Sequence, residues 1–263
     1  MTGVVGDLPY ELPEYFSPSS LSTFVQCPLK YKYSRVNKMS EPPTMQTLMG
    51  NFVHDVLENF YLTIPGPERN QASAKAVSSQ IWAEGGWAER VSPYLGKTKL
   101  NDFLWNSWWC IENVFKLESP ESIVPSGVET ELNGHIRGIR IKGFIDRWGP
   151  INGQLTVSDY KTGKTPKPRY LDDKFPQLLI YAIVLAETED VKVDLVELLY
   201  LKDATRFSKE VTQTDVDSVS TMVESVSERV HTAFDTNKWP ANPTILCNWC
   251  HFKTTVCEYW NKQ

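Results

Sequence analysis

The chain has 263 residues, 41% of them hydrophobic and 22% charged, as in an ordinary globular protein able to bury a large core. A formal net charge of −5 argues against a protein that coats duplex DNA through bulk positive charge. The opening MTGVVGDLPYELPEYF lacks a basic n-region and no stretch approaches the ~20 apolar residues of a bilayer span, so a soluble, cytoplasmic (intracellular) protein is expected.

Residues 1–16 read as an extended arm with Pro9 and Pro13. Ser17 then offers a hydroxyl cap for a helical run, SLSTFVQCPLKYKY, which Pro28 interrupts just after Cys27. Over 45–62, Met49, Phe52, Val53, Val56, Leu57 and Phe60 form one helical stripe, with His54 and Glu58 beside it. Two more helices are predicted over 70–91 and 98–118, the second rich in tryptophan. The period then changes. VPSGVETELNGHIRGIRIKGFIDRW reads as two strands around Asn133-Gly134, and GQLTVSDYK as a third. A helix over 172–188, strands over 193–201 and 206–212, and a long helix over 213–236 follow. The predicted organisation is an arm over 1–16, a helical region over 17–120 and a mixed α/β core over 121–238. A cysteine-rich module over 239–263 completes it, packed with the N-terminal region.

Cys247, Cys250 and Cys257 lie close together in CNWCHFKTTVC. In a reducing compartment three such thiols point to a metal or cluster site, which normally needs a fourth ligand. His251 adjoins Cys250 and is awkward for chelating the same ion, so Cys27 is the better candidate. That choice closes a loop of 220 residues and joins the two ends of the chain. Spacing alone leaves zinc and a 4Fe–4S cluster both open. Cys110, among tryptophans on a helix, reads as core.

In the third strand Leu155, Val157, Asp159 and Lys161 share one face. Asp146 ends the preceding strand, 13 residues before Asp159, so a hairpin sets the two acids side by side. Paired carboxylates repel unless a cation lies between them. Magnesium or manganese fits, with the Tyr160 carbonyl as a further oxygen ligand. Lys161 then supplies positive charge beside a phosphorane, the chemistry of phosphodiester hydrolysis. Lys164, Lys167 and Arg169 follow at once and suit phosphate contacts to a single strand.

Asp146 followed by Asp159-Tyr160-Lys161 resembles the PD-(D/E)-x-K nuclease core, with GFID in place of Pro-Asp. GNFVHDVLE is similar to the Gly-x-x-x-His helix of RecB-family nucleases, which implies His54 as a metal ligand. FPQLLIYAIVL resembles their Gln-x-x-x-Tyr helix, implying catalytic roles for Gln177 and Tyr181. One cysteine before the His helix and three at the end resemble the iron–sulfur branch, which includes CRISPR-associated, AddB-type and phage exonucleases. The resemblance implies a restriction-endonuclease-like α/β fold and a 4Fe–4S cluster on Cys27, Cys247, Cys250 and Cys257. It also implies Mg²⁺ or Mn²⁺ at His54, Asp146, Asp159 and Tyr160, and cleavage of DNA as single strands or frayed ends. Asp159 stands where many nucleases of the wider class carry Glu. Glu129 and Glu131 lie two apart on a strand, and one of them is expected to contact a metal indirectly. Rival readings are an inert iron–sulfur DNA-binding or scaffold module, a restriction-type endonuclease, and a CRISPR spacer-processing factor with protein partners. Recombination proteins and helicases are further candidate partners, in phage DNA metabolism, recombination or repair.

Overall fold

The computed structural model describes residues 11–96 and 100–261. Residues 1–10 of the predicted arm, and 98 and 99 of a predicted helix, lie outside them. The helices are α1 Pro18–Gln26, α2 Pro28–Tyr31, α3 Met45–Thr63, α4 Gln71–Glu84, α5 Trp87–Val91, α6 Leu100–Leu117, α7 Pro176–Glu189 and α8 Gln213–Thr236. The strands are β1 Gly127–Ile136, β2 Ile139–Ile151, β3 Gln154–Lys161, β4 Leu195–Tyr200 and β5 Thr205–Glu210. They form one five-stranded sheet in the order β1-β2-β3-β4-β5. β2 and β3 pair antiparallel, β3 and β4 parallel, β4 and β5 antiparallel, so the sheet is mixed. No helix among the described residues is long and apolar enough to cross a membrane.

The β1–β2 turn falls at Arg137-Gly138, both at positive φ, and not at Asn133-Gly134. Asn-Gly is a strong local turn signal. Here burial alternates through it, with Leu132, Gly134 and Ile136 inward, and that alternation carries the strand on for three more residues.

The chain divides into two compact units. One comprises residues 43–132 and 144–213. In it α7 crosses between the parallel strands β3 and β4 and packs on both. On the other face, Tyr160 and Leu199 join a core built by α3, α4, α5 and α6, with Phe52, Val56, Phe60, Trp87, Phe103 and Ile111 at its centre. Val53 and Val56 are fully buried, so the stripe read from the sequence is the face that packs.

The second unit gathers residues 1–42, 133–143 and 214–263. Ser17 caps α1 through a reciprocal capping box with Ser20. Phe16 bridges to Ile141 through two backbone hydrogen bonds, to Arg140 and from Lys142. Tyr33 ties together segments more than 220 residues apart. Its hydroxyl donates to the Val256 carbonyl at 2.9 Å and accepts from the Glu258 amide at 3.1 Å. Tyr31 stacks on Trp239, with ring centroids 6.2 Å apart.

Candidate active site

Three elements bring the predicted acids, histidine and lysine together. β2 and β3 pair Arg147 with Ser158, and one step further along the hairpin lie Asp146 and Asp159. The Tyr160 amide donates to Asp146 Oδ2 at 2.7 Å, fixing that carboxylate against the neighbouring strand. α3 presents His54, whose Nε2 lies 3.0 Å from the Tyr160 carbonyl oxygen. Gly50, one turn earlier, allows this approach, because a Cβ there would meet Thr162 Oγ1 at 3.3 Å. Lys161 Nζ sits 2.9 and 2.6 Å from the two oxygens of Asp159. The nearer one, Oδ2, is buried and has only this charge contact, with no hydrogen bond of acceptable geometry. On α7, Gln177 donates to Asp159 Oδ1 at 3.4 Å and to the Tyr181 hydroxyl at 3.2 Å.

Glu129 joins this group. Its carboxylate lies 3.6 Å from His54 Nδ1, which is also 3.5 Å from Asp146 Oδ1. Ligand atoms of His54, Glu129 and Asp146 all lie within 4.8 Å of one another. Glu129 reaches inward at φ +45°, a left-handed conformation rare for a non-glycine residue within a strand. The sequence leaves Glu129 and Glu131 as alternatives for an indirect metal contact, and the backbone irregularity distinguishes Glu129.

The electrostatics are those of a cation site. Burial and the neighbouring Asp159 push the Asp146 carboxyl up to about 7, although His54 opposes this. Burial works against a charged His54, but Glu129, Asp146 and Asp159 outweigh it and raise the imidazole to about 9. Lys161 is likewise disfavoured by burial and raised, on balance, by Asp159. Burial lifts Tyr181 to about 12, so its hydroxyl stays protonated. Protons thus balance the carboxylates where a divalent ion would. The residues fit such an ion. His54 turns Nδ1 toward Glu129 and Asp146, 3.6 and 3.5 Å away, and these three could each offer one ligand atom to a shared ion.

A pH dependence follows for metal binding. If Asp146 and His54 hold the ion, each must shed its proton, and both shifts are upward, so affinity is expected to rise with pH through about 7 for Asp146 and about 9 for His54. Binding at pH 7 releases roughly one to two protons per ion. Calorimetric Mn²⁺ titrations in buffers of different ionisation enthalpy measure this release. An affinity independent of pH between 6 and 9, with no proton release, would remove both residues from the ligand set.

Lys164, Lys167 and Arg169 stand apart from this cluster. All three are exposed on the loop after β3, where the Thr165 amide donates to Asp203 at 2.6 Å and Arg169 stacks on Tyr170 at 4.7 Å. The cavity beside His54, about 530 Å³, includes Lys161, Thr162 and Gly163 in its wall but none of these three cations.

Behind the acids, on the opposite face of the sheet, lies a buried ionic network that sequence patterns did not reveal. Arg147 donates to both oxygens of Glu118 at 2.7 Å, contacts Ser158 Oγ at 3.2 Å and lies 3.5 Å from Glu197. The Tyr61 and Tyr160 hydroxyls both donate to Glu118, and Arg147 stacks on both rings. Tyr160 therefore links the two faces: its backbone addresses Asp146 and His54, and its side chain is held from below. The available signal was Glu197, a charge inside the apolar strand LVELLY.

In the other unit, Cys27 closes α1 and caps α2, its sulfur accepting from the Lys30 amide at 3.4 Å. Cys27, Cys247, Cys250 and Cys257 all line one cavity of about 230 Å³. Tetrahedral zinc with bonds of about 2.3 Å needs sulfurs about 3.8 Å apart. Among the described residues no three cysteines converge within 4.8 Å. Cys110 is buried, and burial pushes its thiol up to about 11, as befits core.

The sequence profile of the PD-(D/E)XK nuclease superfamily matches residues 15–258. Gene 69 protein of Mycobacterium phage L5 is 27% identical over 218 residues, covering 67% of this chain and 72% of that protein. Its counterpart in Mycobacterium phage D29 is 24% identical over 195 residues, covering 67% and 70%. Among solved structures, a candidate exonuclease from Eubacterium rectale superposes with a TM-score of 0.56 at 14% identity, over 90% of this chain and 87% of that one, a likeness of fold. With nearly the whole length matched, and the acids, lysine and histidine converging in space, the chain belongs to the PD-(D/E)XK nuclease superfamily.

Proposed function

We propose that this protein is a Mg²⁺- or Mn²⁺-dependent DNA exonuclease acting on single strands or frayed ends. The observation that carries this reading is the cluster of His54, Glu129 and Asp146, with ligand atoms within 4.8 Å of one another, beside Asp159 and the Lys161 bound to it. His54, Glu129, Asp146 and Asp159, with the Tyr160 carbonyl, would hold the ion. When bound, it polarises the phosphodiester and makes water a stronger nucleophile. Lys161 keeps its proton and places positive charge where the phosphorane develops. Gln177 and Tyr181 hold Asp159 from the α7 side. Lys164, Lys167 and Arg169 offer phosphates an exposed cationic loop directly after Lys161. End-labelled single-stranded, double-stranded and circular DNA incubated with manganese tests the reading. Stepwise shortening of linear single strands with circles left intact is expected; cleavage of circles as fast as linear strands would reassign the protein as an endonuclease.

The four cysteines that share a cavity support a 4Fe–4S cluster with a structural role, joining the segment around Cys27 to the C-terminal module. Protein purified anaerobically from iron-replete cells is expected to be brown and to contain about four irons per chain. Colourless protein with one zinc and no iron would refute the cluster.

A further inference from the structure

We propose that Arg90 forms a phosphate-binding subsite for the DNA strand beside the metal centre, an inference that rests on the nuclease reading above. Arg90 lies on α5, outside every motif of the nuclease core, and lines the same 530 Å³ cavity as His54 and Lys161. Its guanidinium stacks on the Trp87 ring, 3.6 Å from the centroid. That platform is rigid. Trp87 is fully buried against Phe52, ring centroids 5.2 Å apart. Gly85 and Gly86 precede it; a Cβ at Gly85 would come within 2.8 Å of the Trp87 ring, and Gly86 caps α5 at φ +61°. A guanidinium fixed on an aromatic face has its five donors pre-organised in one plane, the geometry that suits the paired oxygens of a phosphate.

The charges around it point to the same ligand. The cavity wall carries three carboxylates, Asp55, Glu58 and Glu129, the side-chain cations Lys161 and Arg90, and His54, which belongs to the metal centre. Lys161 is engaged by the buried Asp159. Among the described residues Arg90 has one charge partner, Asp55 at 4.0 Å, and both side chains are nearly half exposed. An anionic strand entering a cavity with this many acids needs a cation besides the metal ion and Lys161. Arg90 is the one whose donor fork remains available. At 4.0 Å the pair is at the outer limit of an ion pair, so Arg90 can exchange its partner for a phosphate.

The phosphate is either an internal diester or a terminal monoester, and one experiment separates them. Wild type, Arg90→Gln and Arg90→Lys are compared in steady-state cleavage of single-stranded oligonucleotides with saturating manganese. Binding is followed by fluorescence anisotropy in an Asp159→Ala background. Loss of a charged hydrogen-bonded contact predicts that Arg90→Gln raises KM roughly tenfold while kcat changes less than about threefold. The log–log salt slope of binding should fall by about 0.7, and Arg90→Lys should restore that slope without restoring full affinity. Oligonucleotides with or without a 5′-phosphate, and a series each bearing one neutral methylphosphonate linkage, identify the source. One modified position, or the missing terminal phosphate, should weaken wild type and leave Arg90→Gln unaffected. An unchanged KM and salt slope, or equal penalties at every position in both proteins, would overturn the subsite and leave Arg90 as a counter-charge for Asp55. Wild type that neither binds nor cleaves DNA would overturn the nuclease reading, and the subsite with it.

Discussion

Asp159→Ala is expected to reduce DNA cleavage by at least roughly a thousandfold, since a bound ion supplies several kcal/mol of transition-state stabilisation and each 1.36 kcal/mol is a factor of ten. Asp159 is buried, holds Lys161 through both oxygens and receives Gln177, so its loss would remove the proposed ligand and free the lysine together. DNA affinity should hold or improve, because the substitution removes negative charge from a cavity that must accept phosphate. Lys161→Ala should divide the effects differently. Its charge is needed as the phosphorane forms, so kcat should fall with little change in Kd. Single-turnover cleavage with a parallel binding isotherm reads both quantities. Near wild-type cleavage by Asp159→Ala in magnesium or manganese would place the active site elsewhere.

Arg147→Met should be the most destabilising single substitution near the site. It leaves Glu118 and Glu197, both almost wholly buried, without their shared cation. Removing one partner of such a network costs about 3–5 kcal/mol, or roughly 10 °C in Tm for a chain of this size. Burial favours the neutral form of Glu118, and Arg147 outweighs it, holding the carboxyl below the usual range. That contribution is present above the ordinary glutamate pKa and fades as pH falls through the lowered value. A second substitution, Glu118→Gln in the Arg147→Met background, should recover part of the loss by removing an unpaired charge. Thermal melts at pH 7 check both. A melting temperature within about 1 °C of wild type for Arg147→Met would show that the network contributes no net stability.

The parts of the site that were legible in the sequence are those governed by local periodicity. The α3 stripe places His54 at its edge, and strand alternation puts Asp159 and Lys161 on one face, because both patterns repeat within a few residues. The five strands and their order of types were readable for the same reason. Asn133-Gly134 misled because a two-residue turn preference competes with the burial of a whole strand face, and the face won. The choice of Glu129 over Glu131, and the roles of Arg147 and Arg90, were opaque for a different reason. Each is defined by partners far away in the chain: His54 for Glu129, Glu118 and Glu197 for Arg147, and the cavity wall for Arg90. Periodicity assigns a residue to a face but says nothing of what stands opposite.

The discontinuous makeup of the cysteine-bearing unit has a consequence for biosynthesis. Its segments leave the ribosome in three instalments, with residues 43–132 and 144–213 between them. Cys27 precedes Cys247 by 220 residues, which at about 5–20 residues per second is a wait of roughly 10–45 s. The other unit is fully synthesised by residue 213, before Tyr33 can meet Val256 or Cys27 can share a cavity with Cys257. Throughout that interval α1 and α2 lack the C-terminal segment they pack with, and Tyr31 and Tyr33 are without Trp239 and Phe252, the rings they meet in the finished unit. Truncation by a late stop codon would therefore strand a finished nuclease core with an unclosed amino-terminal segment, a species marked for proteolysis by its own exposed aromatics.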